Sequence, residues 1–289
     1  MNFEIITDTS ANLPDEMIRE LGIRIASLTF LVDGVEYKSY EAGQKSDLGK
    51  FYEMMRNGQV IQTSLVNTGE FVQIMEPLLK EGKDILYIGF SSALSGTYQS
   101  AVTAAELLKE DYPDRKIITV DSLSASLGQG LLVYYAAQMR KAGSSLEETA
   151  EWVKENRLKM RHHFTVDDLM FLKRGGRIPT ASAMIGTMLN IKPMLHMDDE
   201  GKLTVIGKVR GRRQSLKGLV EHLREHAVNI EEQTIAISHG DCIDDARYVE
   251  EQIRAICNPR QILIHIIDPV IGAHSGPGTM ALFFFGEHR

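Results

Sequence analysis

The stretch Ser91-Ser92-Ala93-Leu94-Ser95-Gly96-Thr97-Tyr98 concentrates groups able to hold an anion. It follows a short apolar run that reads as a buried strand, and it leads into a helix. The first backbone N–H groups of that helix have no intrahelical partner and face the end of the sheet. A helix start favours anions by roughly 0.3–1 kcal/mol at an exposed site. Ser95 adds a hydroxyl donor, and Gly96 lets a ligand approach the backbone closely. The stretch has no lysine and lacks P-loop spacing, so a carboxylate suits it better than a triphosphate. Taken alone, Ser95 as a plain helix N-cap is the commoner arrangement.

Other residues compete for a chemical role. Gly89-Phe90-Ser91-Ser92-Ala93 nearly matches a nucleophile elbow, with Asp268 and His274 available to complete a triad. A serine hydrolase acting on a lipid or small ester through Ser91 is therefore the alternative function. Alanine in place of the last glycine, and the distance from Ser91 to the expected helix start, weigh against it. Gln62-Thr63-Ser64 offers two adjacent hydroxyls, which either donate to an anion or cap the helix expected from about residue 69. Local evidence favours capping. Near the other end, three glycines and a proline in Ile271-Gly272-Ala273-His274-Ser275-Gly276-Pro277-Gly278-Thr279 imply a tight backbone path presenting His274. Such a histidine can donate to an anion, whose charge would favour imidazolium. More often a lone loop histidine is structural.

Basic residues gather at Lys173-Arg174-Gly175-Gly176-Arg177 and again at Lys202, Lys208, Arg210, Arg212, Arg213 and Lys217. An unopposed basic cluster on an acidic chain fits docking to an acidic partner. Neither stretch has aromatic residues for base stacking, so nucleic acid is not the expected partner. Between the clusters, Met184, Ile185, Met188 and Leu189 are candidates to line an adaptable apolar cavity, with core packing the plainer reading.

These residues need a scaffold. Apolar runs at 3–7, 84–89 and 116–120 each end in a polar loop followed by a helical pattern, which predicts parallel βαβ units with helices on both faces. Ligands of such sheets bind beyond the carboxyl ends of the strands. A helix is expected over 146–160. Beyond it, strands are expected at 163–166, 192–197, 203–209, 234–238, 262–267 and 280–285, with helices at 213–226 and 243–256. The fold class is α/β with two domains, split near residue 160: an N-terminal parallel-sheet α/β domain, 1–160, and a C-terminal mixed or antiparallel-sheet α/β domain, 161–289.

Composition sets the remaining bounds. The chain has 289 residues, 43% hydrophobic and 25% charged, so an ordinary core needs no covalent staples. A net charge of −7 argues against nonspecific nucleic-acid binding. Cys242 and Cys257 lack partners at metal-ligand spacing, and no metal or cofactor is expected. The N-terminus lacks a signal-peptide pattern and no apolar run is long enough to span a bilayer. A cytoplasmic protein is expected, with at most transient membrane-surface contact.

The order of several motifs resembles the DegV family. They are Thr7 to Pro14 (TDTSANLP), Ser91 to Ser100 (SSALSGTYQS), Asp121 to Gly130 (DSLSASLGQG), Asp168 to Ile178 (DLMFLKRGGRI) and His274 to Thr279 (HSGPGT). Together they span nearly the whole chain. The resemblance implies a non-catalytic, fatty-acid-binding subunit of a bacterial fatty acid kinase, with the acyl chain in a buried tunnel and its carboxylate held by hydroxyls. It assigns carboxylate binding to Thr63, Ser95 and His274, and Gly96 joins them as the point where a ligand can near the backbone. By the same token the first domain carries the carboxylate loops, and the second carries the acyl pocket and the basic surface. Arg174 and Arg177 resemble the family's surface for the kinase subunit, which would supply ATP, and Arg210 of the second basic set is a further docking candidate. One departure is visible: Thr63-Ser64-Leu65-Val66-Asn67 lacks the proline usual in the family segment.

Overall fold

The computed structural model describes residues 3–44, 47–179 and 190–289. The chain divides into two compact units, Met1–Ser46 with Thr63–Arg157, and Asp47–Gln62 with Leu158–Arg289. The main passage between them falls close to residue 160. A single cut there does not express that 47–62 groups with the second unit.

In chain order the first stretch of elements is β1 (Phe3–Asp8), α1 (Asp15–Leu21), β2 (Ile23–Ala26), β3 (Thr29–Val32), β4 (Val35–Lys38), α2 (Leu48–Arg56) and β5 (Gln62–Ser64). There follow α3 (Thr68–Lys80), β6 (Asp84–Gly89), α4 (Thr97–Asp111), β7 (Ile117–Asp121), α5 (Leu127–Ala142) and α6 (Leu146–Asn156). The first unit is built on a parallel sheet in the order β2-β1-β6-β7, with Ile5 opposite both Ile23 and Leu86. Strands β1 and β6 are nearly continuous apolar runs because both of their faces are covered. Ile5, Ile6, Leu86 and Ile88 have no exposed surface, and the pairs α3–α4 and α5–α6 pack over them.

Strands β2 to β4 were not anticipated. Gly22 ends α1 in the left-handed region, at φ 59°, and the chain turns directly into β2. The β3–β4 hairpin turns at Asp33-Gly34, both with positive φ, and Asp-Gly is the residue pair this turn favours. That signal was legible but brief. These two strands and β5 form a separate three-stranded sheet in the order β4-β3-β5.

The second unit continues with β8 (Met160–Thr165), α7 (Met170–Arg174), β9 (Ile191–Met197), β10 (Leu203–Arg210) and α8 (Arg212–His226). It ends with β11 (Thr234–His239), α9 (Ile243–Ile256), β12 (Gln261–Ile266), α10 (Pro269–Ser275) and β13 (Met280–Phe285). Its six strands run β10-β9-β8-β13-β11-β12, and only β11–β12 is parallel. Helices α8 and α9 bury Leu216, Leu219, Leu223, Val249 and Ile253 with Ile235, Ile237, Leu282 and Phe284 of the sheet.

Two expectations are corrected here. Helix α6 ends at Asn156 instead of reaching residue 160, because Met160 pairs with Phe285 at the start of β8. Tertiary pairing overrides a helical pattern that local propensity alone would extend. The segment around His274 is not an irregular loop. Asp268 caps α10 by accepting from Ile271 N at 3.1 Å, Pro269 occupies its first turn, and His274 lies in its last turn. Only Gly276-Pro277-Gly278 follows as a tight turn, with Gly276 and Gly278 at positive φ.

Candidate functional site

The carboxyl ends of the parallel strands in the first unit are tied together by two aspartates. Asp8, closing β1, is fully buried and accepts from Tyr87 Oη at 2.8 Å, Phe90 N at 2.9 Å, Ser10 N at 3.0 Å and Gln129 Nε2 at 3.3 Å. Burial pushes its carboxyl above the usual range, against the downward pull of those four donors. Asp121, closing β7, accepts from Leu123 N at 2.9 Å and from Ser92 N at 3.3 Å. Ser91 N donates to Ser124 O at 3.0 Å and Ser122 N to Gly89 O at 3.1 Å. The turn carrying Ser95 is thus fastened at both sides before any ligand arrives. Leu123 and Ser126, which lead into α5, sit at φ 47° and 53°, a conformation costly for non-glycine residues and concentrated at functional sites.

Ser95 is half-buried and is not the N-cap of α4; that position belongs to Gly96, without a side-chain cap. Instead Ser95 Oγ accepts from Thr97 N at 3.2 Å and lies 2.9 Å from Thr97 Oγ1. Thr97 is fully buried. When Thr97 donates across that contact, the Ser95 proton remains for an external acceptor. Sequence reasoning overlooked Thr97, although its adjacency to Gly96 was the available signal.

The capping reading of Thr63-Ser64 fails. Asn67 caps α3, accepting from Glu70 N at 3.0 Å, while Glu70 Oε2 accepts from Asn67 N at 2.8 Å in a reciprocal capping box. Asn67→Ala should lower stability by about 1 kcal/mol, whereas Ser64→Ala should change it by less than about 0.5 kcal/mol. Urea titration of the two variants distinguishes them, and equal losses would return the capping role to Ser64. Thr63 and Ser64 are half-buried, and the next residue, Leu65, reaches the Ser95 turn. Its Cδ2 lies 3.2 Å from where a β-carbon at Gly96 would stand. The fold therefore brings the Thr63–Leu65 segment beside Ser95-Gly96.

The serine-hydrolase arrangement is not supported. Ser91 has no exposed surface, α4 begins only at Thr97, and the Asp268 carboxylate is engaged as the cap of α10. A nucleophile elbow needs its serine exposed at the turn from strand to helix.

In the second unit, His274 is packed against α7. Its Nδ1 stands 2.1 Å from where a β-carbon at Gly175 would lie, so only glycine fits there. Arg177 donates through Nη1 to Gly175 O. Burial, with the Arg177 charge second, pushes the His274 imidazole down to about 4. The expected imidazolium concerned a ring beside a bound anion; in the ligand-free protein burial favours the uncharged ring. Arg174 is exposed, with its guanidinium 4.6 Å over the Phe171 ring, and Arg210 is exposed at the end of β10. Arg177 is half-buried and less available to a partner. The acyl-pocket candidates Met184, Ile185, Met188 and Leu189 lie outside the described residues. Among the described residues no helix is long and apolar enough to cross a membrane.

The DegV family model, described as "Uncharacterised protein, DegV family", matches residues 2–287. The chain belongs to the DegV family. A DegV domain-containing protein of Clostridium perfringens is 48% identical over 287 residues, covering 99% of this chain and 98% of the relative. Among solved structures, a DegV family protein of Thermus thermophilus described for its fatty acid binding superposes with a TM-score of 0.89 at 28% identity. That match covers 99% of this chain and 100% of the other. DegV of Bacillus subtilis, described as a fatty acid binding protein, gives a TM-score of 0.84 at 29% identity, with 99% and 100% covered. The α/β architecture, one parallel sheet and one mixed sheet, is that of DegV structures.

Proposed function

We propose that this DegV protein binds a long-chain fatty acid, holds its carboxylate with Thr63, Ser95 and the backbone at Gly96, and presents it to a separate kinase subunit. The observation that carries the reading is the Ser95-Gly96-Thr97 turn. It is fixed at the carboxyl edge of the parallel sheet beside the Thr63 segment, in a chain similar end to end to fatty-acid-binding DegV proteins.

Energetics favour this ligand class. Each buried methylene contributes about 0.8 kcal/mol, so a long acyl chain offers on the order of 10 kcal/mol before ordering and association costs. Burying its carboxylate costs several kcal/mol unless donors meet it. Hydroxyls and backbone amides meet it without a lysine or arginine clamp. One oxygen then stays nucleophilic toward ATP brought by the kinase subunit. Exposed Arg174 and Arg210, with Arg177, form the docking surface, and the chain itself serves as a carrier without catalysis in the cytoplasm.

Organic extraction of purified protein followed by mass spectrometry should recover a fatty acid near one per chain. Delipidated protein should take up oleate, and Ser95→Ala should weaken that uptake about 10- to 100-fold through loss of a hydrogen bond to a charged group. No lipid in the extract together with no oleate uptake would end the proposal.

A further inference from the structure

All nine histidines of the chain lie from residue 162 onward, and four of them, His163, His196, His222 and His226, gather where β8, β9 and α8 meet. Their arrangement has no part in fatty-acid binding as proposed above. His222 and His226 stand four residues apart on α8, and so project from one face of the helix. Glu225 lies between them in sequence. One donor atom from each of the three lies within 4.8 Å of the others, and His226 Nε2 is 4.0 Å from Glu225 Oε2. Zinc bonds to imidazole and carboxylate run about 2.0–2.2 Å, so modest side-chain rotations close these donors on one ion.

The surroundings add a second, independent observation. His222 Nδ1 is buried without a hydrogen-bond partner among the described residues, as is Nδ1 of His163. A buried polar atom left unpaired costs about 1–3 kcal/mol, so its retention calls for a reason. The rings are also held in place. His163, buried on β8, stacks on His222 with centroids 4.2 Å apart and planes 10° off parallel, and Phe284 lies 5.7 Å beyond His163. His226 continues the column at 6.0 Å from His222. Arg161 Nε donates to His163 Nε2 at 3.5 Å. A strand histidine that fixes the orientation of a ligating ring does the work of the outer-shell partners found around metal sites.

We propose that His222, Glu225 and His226 form a binding site for a divalent first-row transition-metal ion, with His163 positioning the His222 ring. Two imidazoles and one carboxylate select zinc, nickel or copper over magnesium or calcium, which take all-oxygen sets. Three protein donors leave a coordination position for water or a fourth ligand. The helical spacing of His222 and His226 is one that metal-binding helices use. What the sequence conceals is the buried strand histidine behind them.

The test uses the full-length, tag-free protein stripped with EDTA and titrated with zinc chloride by calorimetry, and in competition with a chromogenic chelator. One zinc per chain is expected. His226→Ala and Glu225→Gln, both at solvent-accessible side chains, should each weaken binding at least tenfold while circular dichroism stays unchanged. His288→Ala should bind as the wild type. No saturable zinc binding, or wild-type affinity in His226→Ala, overturns the proposal.

Discussion

Acidification from about pH 7.5 to about pH 5 is expected to remove several kcal/mol of stability from the second unit, and none by the same route from the first. The first unit contains no histidine, whereas the second contains all nine. Seven of these have an imidazole pushed down mainly by burial, and three of the seven set the scale. His162 is pushed well below its usual value, with Arg289 adding to the effect. His265 falls to about 4, with His239 assisting, and His274 falls to about 4, with Arg177 assisting. A folded value below the unfolded one means that the unfolded chain binds more protons as pH falls past about 6.5. The stability that His265 and His274 confer is complete above that pH and is lost between about 6.5 and 4. One and a half pH units below the unfolded value correspond to about 2 kcal/mol per histidine. Two such groups make about 4 kcal/mol, a large part of the 5–15 kcal/mol that holds an ordinary domain together, and His162 adds in the same direction.

Asp8 works in the opposite sense. Its carboxyl is raised by burial in the folded state, so the folded first unit binds the extra proton and acid favours it. Hydrogen exchange followed by mass spectrometry, corrected for intrinsic rates, separates the two units. Peptides from β11 and β13 should lose protection at pH 5 well before peptides from β1 and β6. Parallel loss in all four strands would show that buried histidines do not govern acid stability.

Asp8→Ala is the substitution with the largest expected effect on the first unit. It removes the acceptor for Tyr87 Oη, Phe90 N and Ser10 N, and one of the acceptors of Gln129 Nε2, all in a fully buried setting. Gln129 keeps Thr7 Oγ1 at 3.0 Å, so its loss is partial. Stranded buried donors cost about 1–3 kcal/mol each, and removing one partner of a buried charged network typically costs about 3–5 kcal/mol. A stability loss of about 3–5 kcal/mol is expected in urea unfolding. Because Phe90 leads into the Ser95 turn, oleate affinity should fall in the folded variant as well. A loss below about 1 kcal/mol would mean that water or neighbouring groups replace the carboxylate, and that the turn is fixed by Asp121 alone.

The parallel sheet of the first unit was legible because its strands, buried on both faces, carry unbroken apolar runs that end in polar loops. Helices α8 and α9 were equally plain from their apolar spacing. What was not legible were elements whose identity depends on distant partners. Met160 has a helical context but pairs with Phe285, and the short β2 to β4 strands exist through their neighbours in the sheets. The Asp-Pro pair at 268–269 is a helix start that the glycines following it obscured.

Residue order alone determined the DegV family, the α/β class and the segments that carry hydroxyls, because these follow from local pattern and motif succession. Tertiary structure decided what each candidate side chain is doing. Asn67 takes the cap that Thr63 and Ser64 were competing for, Asp268 is spent on α10, and His274 is neutral because it is buried beside Arg177. The physical reason is common to all three: a polar group's role is set by which partners satisfy it and how much water it keeps, and both depend on residues far away in the chain.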